Sequence, residues 1–101
     1  IVDSAGTLCN ASNALMEKGA RSVAAYATHG VLSGGAIAKV NGSSLKTLIT
    51  TDSIIATEAL KVSENIRQLT IAPLFAVAIR RISEETSVSS LLIDFFKFLL
   101  K

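Results

Sequence analysis

The strongest constraint on how this chain folds is the way its apolar pattern changes period. Short runs of small and β-branched residues, "SVAAYAT" at 22–28, "LKTLITTDSI" at 45–54 and "IRQLTIA" at 66–72, alternate with segments whose apolar residues recur at helical spacing. Leu8, Ala11 and Leu15 predict a helix from about Thr7 to Lys18, with Gly19 just past its end. "VLSGGAIAKV" reads as a glycine-rich turn and a short helix, closed by Asn41-Gly42. Residues 58–65 fit either a loop or one helical turn. Pro73 suits the first turn of a last helix, and Phe75, Ile79 and Ile82 mark its expected buried face. On that helix Arg80 and Arg81 stand four residues before Glu84 and Glu85, an expected solvated ion-pair face. Strand alternating with helix predicts an α/β fold, a three-layer parallel sheet flanked by helices.

Half of the 101 residues are apolar, so a single packed domain is expected over residues 1–101. Ten basic against eight acidic residues leave a net charge of +2, with neither a basic run nor interleaved aromatics. Nucleic acid is therefore not an expected partner. Eighteen consecutive apolar residues occur nowhere, so no membrane span is expected either. Cys9 is the single cysteine, which excludes an internal disulfide framework and fits a reducing, cytoplasmic setting.

The first residues, "IVDSAGTLCN", look like the last rungs of a buried strand followed by a tight turn and a helix start. Such a turn usually has more strand before it, so the chain is expected to be the N-terminally incomplete part of something larger. Ligands of open parallel sheets sit beyond the carboxyl ends of the strands. Ala5 and Gly6 keep side chains away, leaving backbone N–H groups free to close on an anion, while Ser4 and Thr7 add hydroxyl donors. The helix N-terminus contributes its partial positive charge. Asp3 suits sugar hydroxyls or a metal better than a phosphate. A phosphate with a polyol beside it matches this set. An ordinary Ser or Thr N-cap and a turn match it too, and no P-loop lysine follows.

"IVDSAGT" resembles the second half of the phosphoribosyl-diphosphate binding motif of type I phosphoribosyltransferases, in which two further acids usually stand just ahead. "LCNASNALMEKGARSVAAYATHGVLSGGA", the strand ending "TTDSI", "IRQLTIAPLFAVAIRRI" and "SVSSLL" extend the likeness over roughly residues 1–92. Together they resemble the ribose-phosphate pyrophosphokinase family. The resemblance implies a type I phosphoribosyltransferase-like fold and a C-terminal domain carrying a ribose 5-phosphate loop. It implies transfer of diphosphate from ATP to ribose 5-phosphate with Mg2+, giving phosphoribosyl diphosphate and AMP. Asp3 would lie near the ribose, and Ser4, Ala5, Gly6 and Thr7 would cradle the 5-phosphate. Ser4 stands where threonine is common, and Ala5 at a variable small position. The implied metal ligands, catalytic basic loop and adenine pocket lie in the N-terminal part, so this stretch alone is expected to be inactive. The resemblance also implies a homo-oligomer, a hexamer built from dimers. Ser87, Val88, Ser89, Ser90, Leu91 and Leu92 match a segment that helps form a regulatory site for ADP or phosphate. A type I phosphoribosyltransferase using the same loop, or a non-catalytic regulatory subunit, shares much of this pattern.

The remaining chemically capable residues read as structural. His29, the sole histidine, is expected to close a loop, Cys9 to be a small packed thiol, and Asp52 to serve a turn or cap. Glu84-Glu85 reads as a solvated helix end. The tail "LLIDFFKFLLK" is apolar enough that it must pack on a core or a partner.

Overall fold

The computed structural model describes residues 1–85 and 89–99. The chain forms two compact units, Ile1–Thr70 and Ile71–Lys101. In the first, strands β1 (Val23–His29), β2 (Leu45–Thr51) and β3 (Ile66–Leu69) form a parallel sheet in the order β1-β2-β3. Parallel neighbours need crossovers, and these contain α2 (Ala36–Asn41) and α3 (Glu58–Lys61); α1 (Gly6–Glu17) precedes β1. The ambiguous stretch 58–65 thus resolves into one helical turn and a loop. At the outer edge of β1, Val2 makes a single parallel bridge with Gly30. The opening "IV" is therefore a strand rung, as its β-branched residues suggest.

The central strand carries the two largest fully buried side chains of the core, Leu45 and Leu48. Val23 pairs with Leu45 but Ala24 pairs with Thr47, so Lys46 is an extra residue in β2. That irregularity places Leu45 and Leu48, three apart, in one buried cluster with Ala36, Val40, Leu60 and Ile66. Burying each of the larger side chains contributes about 1.5–3 kcal/mol.

Helix α1 exists where its periodicity predicts, and Leu8 packs partly buried against the core. Ala5, Cys9 and Ser12 are buried, whereas Ala11 is exposed and Leu15 is 50% exposed. Small residues on that face let the helix lie close to its neighbours.

The second unit contains α4 (Ala72–Ser83) and α5 (Ser89–Leu99). Pro73 falls in the first turn of α4, where its missing N–H costs nothing. The expected buried face is corrected: Phe75, Ile79 and Ile82 are 57%, 67% and 67% exposed. Leu74, Val77, Ala78 and Arg81 form the less exposed stripe. Arg81 explains the choice, because it donates to Ser90 Oγ and lies 3.5 Å from Asp94, both on α5. Arg80 does pair with Glu84 at 3.4 Å. Arg81 thus serves the α4–α5 contact instead of mirroring that pair with Glu85, which sits past the helix end at φ 55°. Leu91 is buried and Ile93 is 58% exposed.

Candidate functional site

The site begins with the Val2 rung. Its N–H donates to His29 O at 2.9 Å, and its carbonyl accepts from Val31 N at 2.9 Å and Leu32 N at 3.2 Å. Because this pairing is parallel and sits at the end of β1, residues from Asp3 onward leave the sheet at its carboxyl edge. The residues following β1 and β2 emerge at that same edge.

Ala5 then takes a left-handed conformation, φ 66° and ψ 5°, and is the residue from which α1 springs. No side chain caps this helix. An ordinary Ser or Thr N-cap, the plainer reading of the sequence, is therefore not what Ser4 and Thr7 provide. The first intrahelical bond runs from Cys9 N to Ala5 O at 3.0 Å. The N–H groups of Gly6, Thr7 and Leu8 precede it and lack intrahelical acceptors. A left-handed residue followed by helical ones curves successive N–H groups towards one point, a geometry suited to anions. Residues 1–8 and Ala11 line a depression of about 420 Å³ there. Asp3, Ser4 and Thr7 are exposed, Ala5 is buried, and a Cβ on Gly6 would meet nothing within 4 Å. The five predicted loop residues are thus brought together.

Asp3 is not isolated. Its Oδ1 accepts a hydrogen bond from Ser33 Oγ. Ser33 stands in a turn with three left-handed residues, Leu32 (φ 54°), Gly34 (φ 59°) and Gly35 (φ 75°). Sequence reasoning read that turn from its glycines but missed Ser33, because no one-dimensional spacing links positions 3 and 33.

The other residues behave structurally. His29 Nδ1 lies 2.8 Å from Ser53 Oγ, and Thr51 Oγ1 donates to Thr28 O at 2.6 Å. These bonds join the exits of β1 and β2, so His29 closes a loop as expected. Cys9 is a buried free thiol. Asp52 lies in the turn after β2, with its N–H donating to Leu69 O at 3.0 Å. Ser89, Ser90 and Leu91 open α5 and Leu92 follows in it, while Ser87 and Val88 lie outside the described residues. Among the described residues, no three His, Cys, Asp or Glu side chains gather as a metal site. Asp3 is the one acid in the loop. These residues do not fit a magnesium cage.

This architecture defines an α/β chain with a parallel sheet and a small-residue loop between a strand's carboxyl end and an uncapped helix. Residues 1–93 match the family model for the phosphoribosyl synthetase-associated domain, and the chain belongs to that family. Ribose-phosphate pyrophosphokinase of Granulibacter bethesdensis is 60% identical over 91 residues, 90% of this chain and 29% of that protein. The Rhizobium meliloti protein of the same name is 59% identical over the same shares. The crystal structure of phosphoribosylpyrophosphate synthetase from Mycobacterium smegmatis superposes with a TM-score of 0.78 at 38% identity. That match covers 83% of this chain and 28% of the other. The chain thus spans less than a third of the length of these relatives. Among the described residues, no helix is long and apolar enough to cross a membrane.

Proposed function

We propose that this chain is the C-terminal, ribose 5-phosphate-anchoring part of a cytoplasmic ribose-phosphate diphosphokinase. The full protein would transfer the β,γ-diphosphoryl group of ATP to the 1-hydroxyl of ribose 5-phosphate, with AMP leaving. One observation carries the reading: Ala5 opens α1 in a left-handed conformation with no side-chain cap. That leaves the N–H groups at the helix start available to the 5-phosphate, with the Ser4 and Thr7 hydroxyls beside them. Asp3 accepts from the sugar hydroxyls and stays clear of the phosphate charge.

Diphosphoryl transfer needs cationic groups and metal arrayed on the moving oxygens. In this reading they come from the longer protein, which holds Mg2+ and ATP, and this chain alone forms no phosphoribosyl diphosphate. Assembly into hexamers built from dimers belongs to the same reading. So does a regulatory ADP or phosphate site at Ser87, Val88, Ser89, Ser90, Leu91 and Leu92.

The test is Thr7→Val in the full-length protein. Removing one hydroxyl donor to a charged acceptor is expected to weaken ribose 5-phosphate binding by about 1–3 kcal/mol. Calorimetric titration showing unchanged affinity would overturn the assignment.

A further inference from the structure

The segment Thr28–Ala36, "THGVLSGGA", forms a strained turn against the loop Asp3–Thr7. Its contacts with the loop are specific. Val31 N and Leu32 N both converge on Val2 O, and Ser33 Oγ reaches Asp3 Oδ1. The turn therefore grips two consecutive residues, one through backbone and one through a side chain. Leu32 sits at φ 54°, a conformation that costs a non-glycine residue energy and persists only where its surroundings enforce it. Gly34 and Gly35 follow at φ 59° and 75°, and the chain then enters α2, whose Ala36 and Val40 are fully buried. Such an anchor fixes the turn from behind and holds Ser33 facing Asp3.

We propose that Ser33 is a positioning residue for Asp3, an inference that rests on the ribose 5-phosphate reading above. An exposed aspartate on a loop would otherwise sample several rotamers, and ordering it on binding costs affinity. The Ser33 hydroxyl occupies Oδ1, which fixes the carboxylate plane and leaves Oδ2 to accept from a sugar hydroxyl. Ser33 itself touches no substrate.

The experiment uses the full-length protein and measures KM for ribose 5-phosphate and for ATP in Ser33→Ala and Ser33→Thr, with Thr7→Val alongside. Loss of one hydrogen bond to an exposed carboxylate is expected to raise the ribose 5-phosphate KM about 3–10-fold. The ATP KM and the melting temperature should hold, and Ser33→Thr, which keeps the hydroxyl, should restore the wild-type value. The inference is overturned if Ser33→Ala leaves the ribose 5-phosphate KM unchanged while Thr7→Val raises it. It is equally overturned if Ser33→Ala shifts both KM values and the melting temperature together, since that marks a merely structural serine. If neither Thr7→Val nor Ser33→Ala moves the ribose 5-phosphate KM, the phosphate-loop reading falls and takes this inference with it.

Discussion

Helices α1 and α3 begin in opposite ways. Thr57 precedes α3 in an extended conformation, φ −76° and ψ 165°, and its Oγ1 accepts from Leu60 N at 3.2 Å. That side chain satisfies one of the helix's first-turn donors. Ala5 precedes α1 in a left-handed conformation and offers no side-chain acceptor, although Ser4 and Thr7 flank it. Hydroxyls that could cap are present, and the backbone turns them away from that job. A side-chain cap occupies a donor of the first turn, whereas an uncapped start leaves that donor open. The difference separates a helix start closed by its own side chain from one left open.

The comparison breaks most severely if the uncapped end loses its footing. Gly30 is that footing, because it bridges Val2 immediately before the loop. A Cβ at Gly30 would lie 2.9 Å from Thr50 Cγ2 and 3.2 Å from both Thr50 Cβ and Oγ1. Thr50 is 1% exposed, β-branched and on the central strand, so it has nowhere to go. Gly30→Ala should therefore cost about 1–3 kcal/mol of stability, the range for overpacking a filled site. It should also weaken ribose 5-phosphate binding, because the Val2 bridge is displaced. Thermal unfolding with a parallel titration checks both; a variant as stable as wild type would show that the loop does not depend on this close approach.

Much of this was legible in the residues, and what was not has identifiable causes. Strand and helix succession followed from local period, whereas the small residues of "IVDSAGT" fitted an anion loop and an ordinary capped turn alike, and it took the left-handed Ala5 and the missing cap to separate the two. Buried faces were read less well. In α1 the spacing of Leu8, Ala11 and Leu15 gave the helix but not its face: Leu8 packs on the core beside buried Cys9 and Ser12, while Ala11 and Leu15 are exposed. In α4 two stripes competed, and Arg81 decided between them through Ser90 and Asp94, partners 9 and 13 residues away. The same distance problem hid Ser33, whose meaning depends on a contact across 30 residues. Periodicity reports an element's own preference. It carries nothing about which neighbour arrives.

A milder perturbation sharpens the contrast by removing a hydroxyl from each helix start. Thr57→Ala deletes a working cap and should cost about 1 kcal/mol, since α3 is a single turn anchored mainly by buried Leu60. It should leave the ribose 5-phosphate KM of the full-length protein unaltered. Thr7→Val should do the reverse, changing stability by less than about 0.5 kcal/mol because no cap is lost, while binding falls. Unfolding curves and titrations on both variants give four numbers. Matching stability losses in the two would mean that Thr7 supports α1 as Thr57 supports α3, and the distinction would collapse.

The smallest effect is expected at the pivot itself. Ala5→Gly removes the penalty of holding a side chain in the left-handed region, a gain of about 1–2 kcal/mol. Against it stands the extra freedom of glycine in the unfolded chain, about 0.4–1 kcal/mol. The buried methyl, on a residue only 5% exposed, adds a further loss of about 0.8 kcal/mol. These contributions nearly cancel, so stability should stay within about 0.5 kcal/mol of wild type by chemical denaturation, consistent with glycine's ready access to positive φ. Binding should weaken slightly even so, because a glycine pivot lets the N–H groups of Gly6 to Leu8 wander from the arrangement a phosphate needs. A loss of stability above about 1.5 kcal/mol would mean that Ala5 acts chiefly as core packing. The left-handed turn would then be a by-product of burying a methyl group, and the uncapped start of α1 would need another explanation.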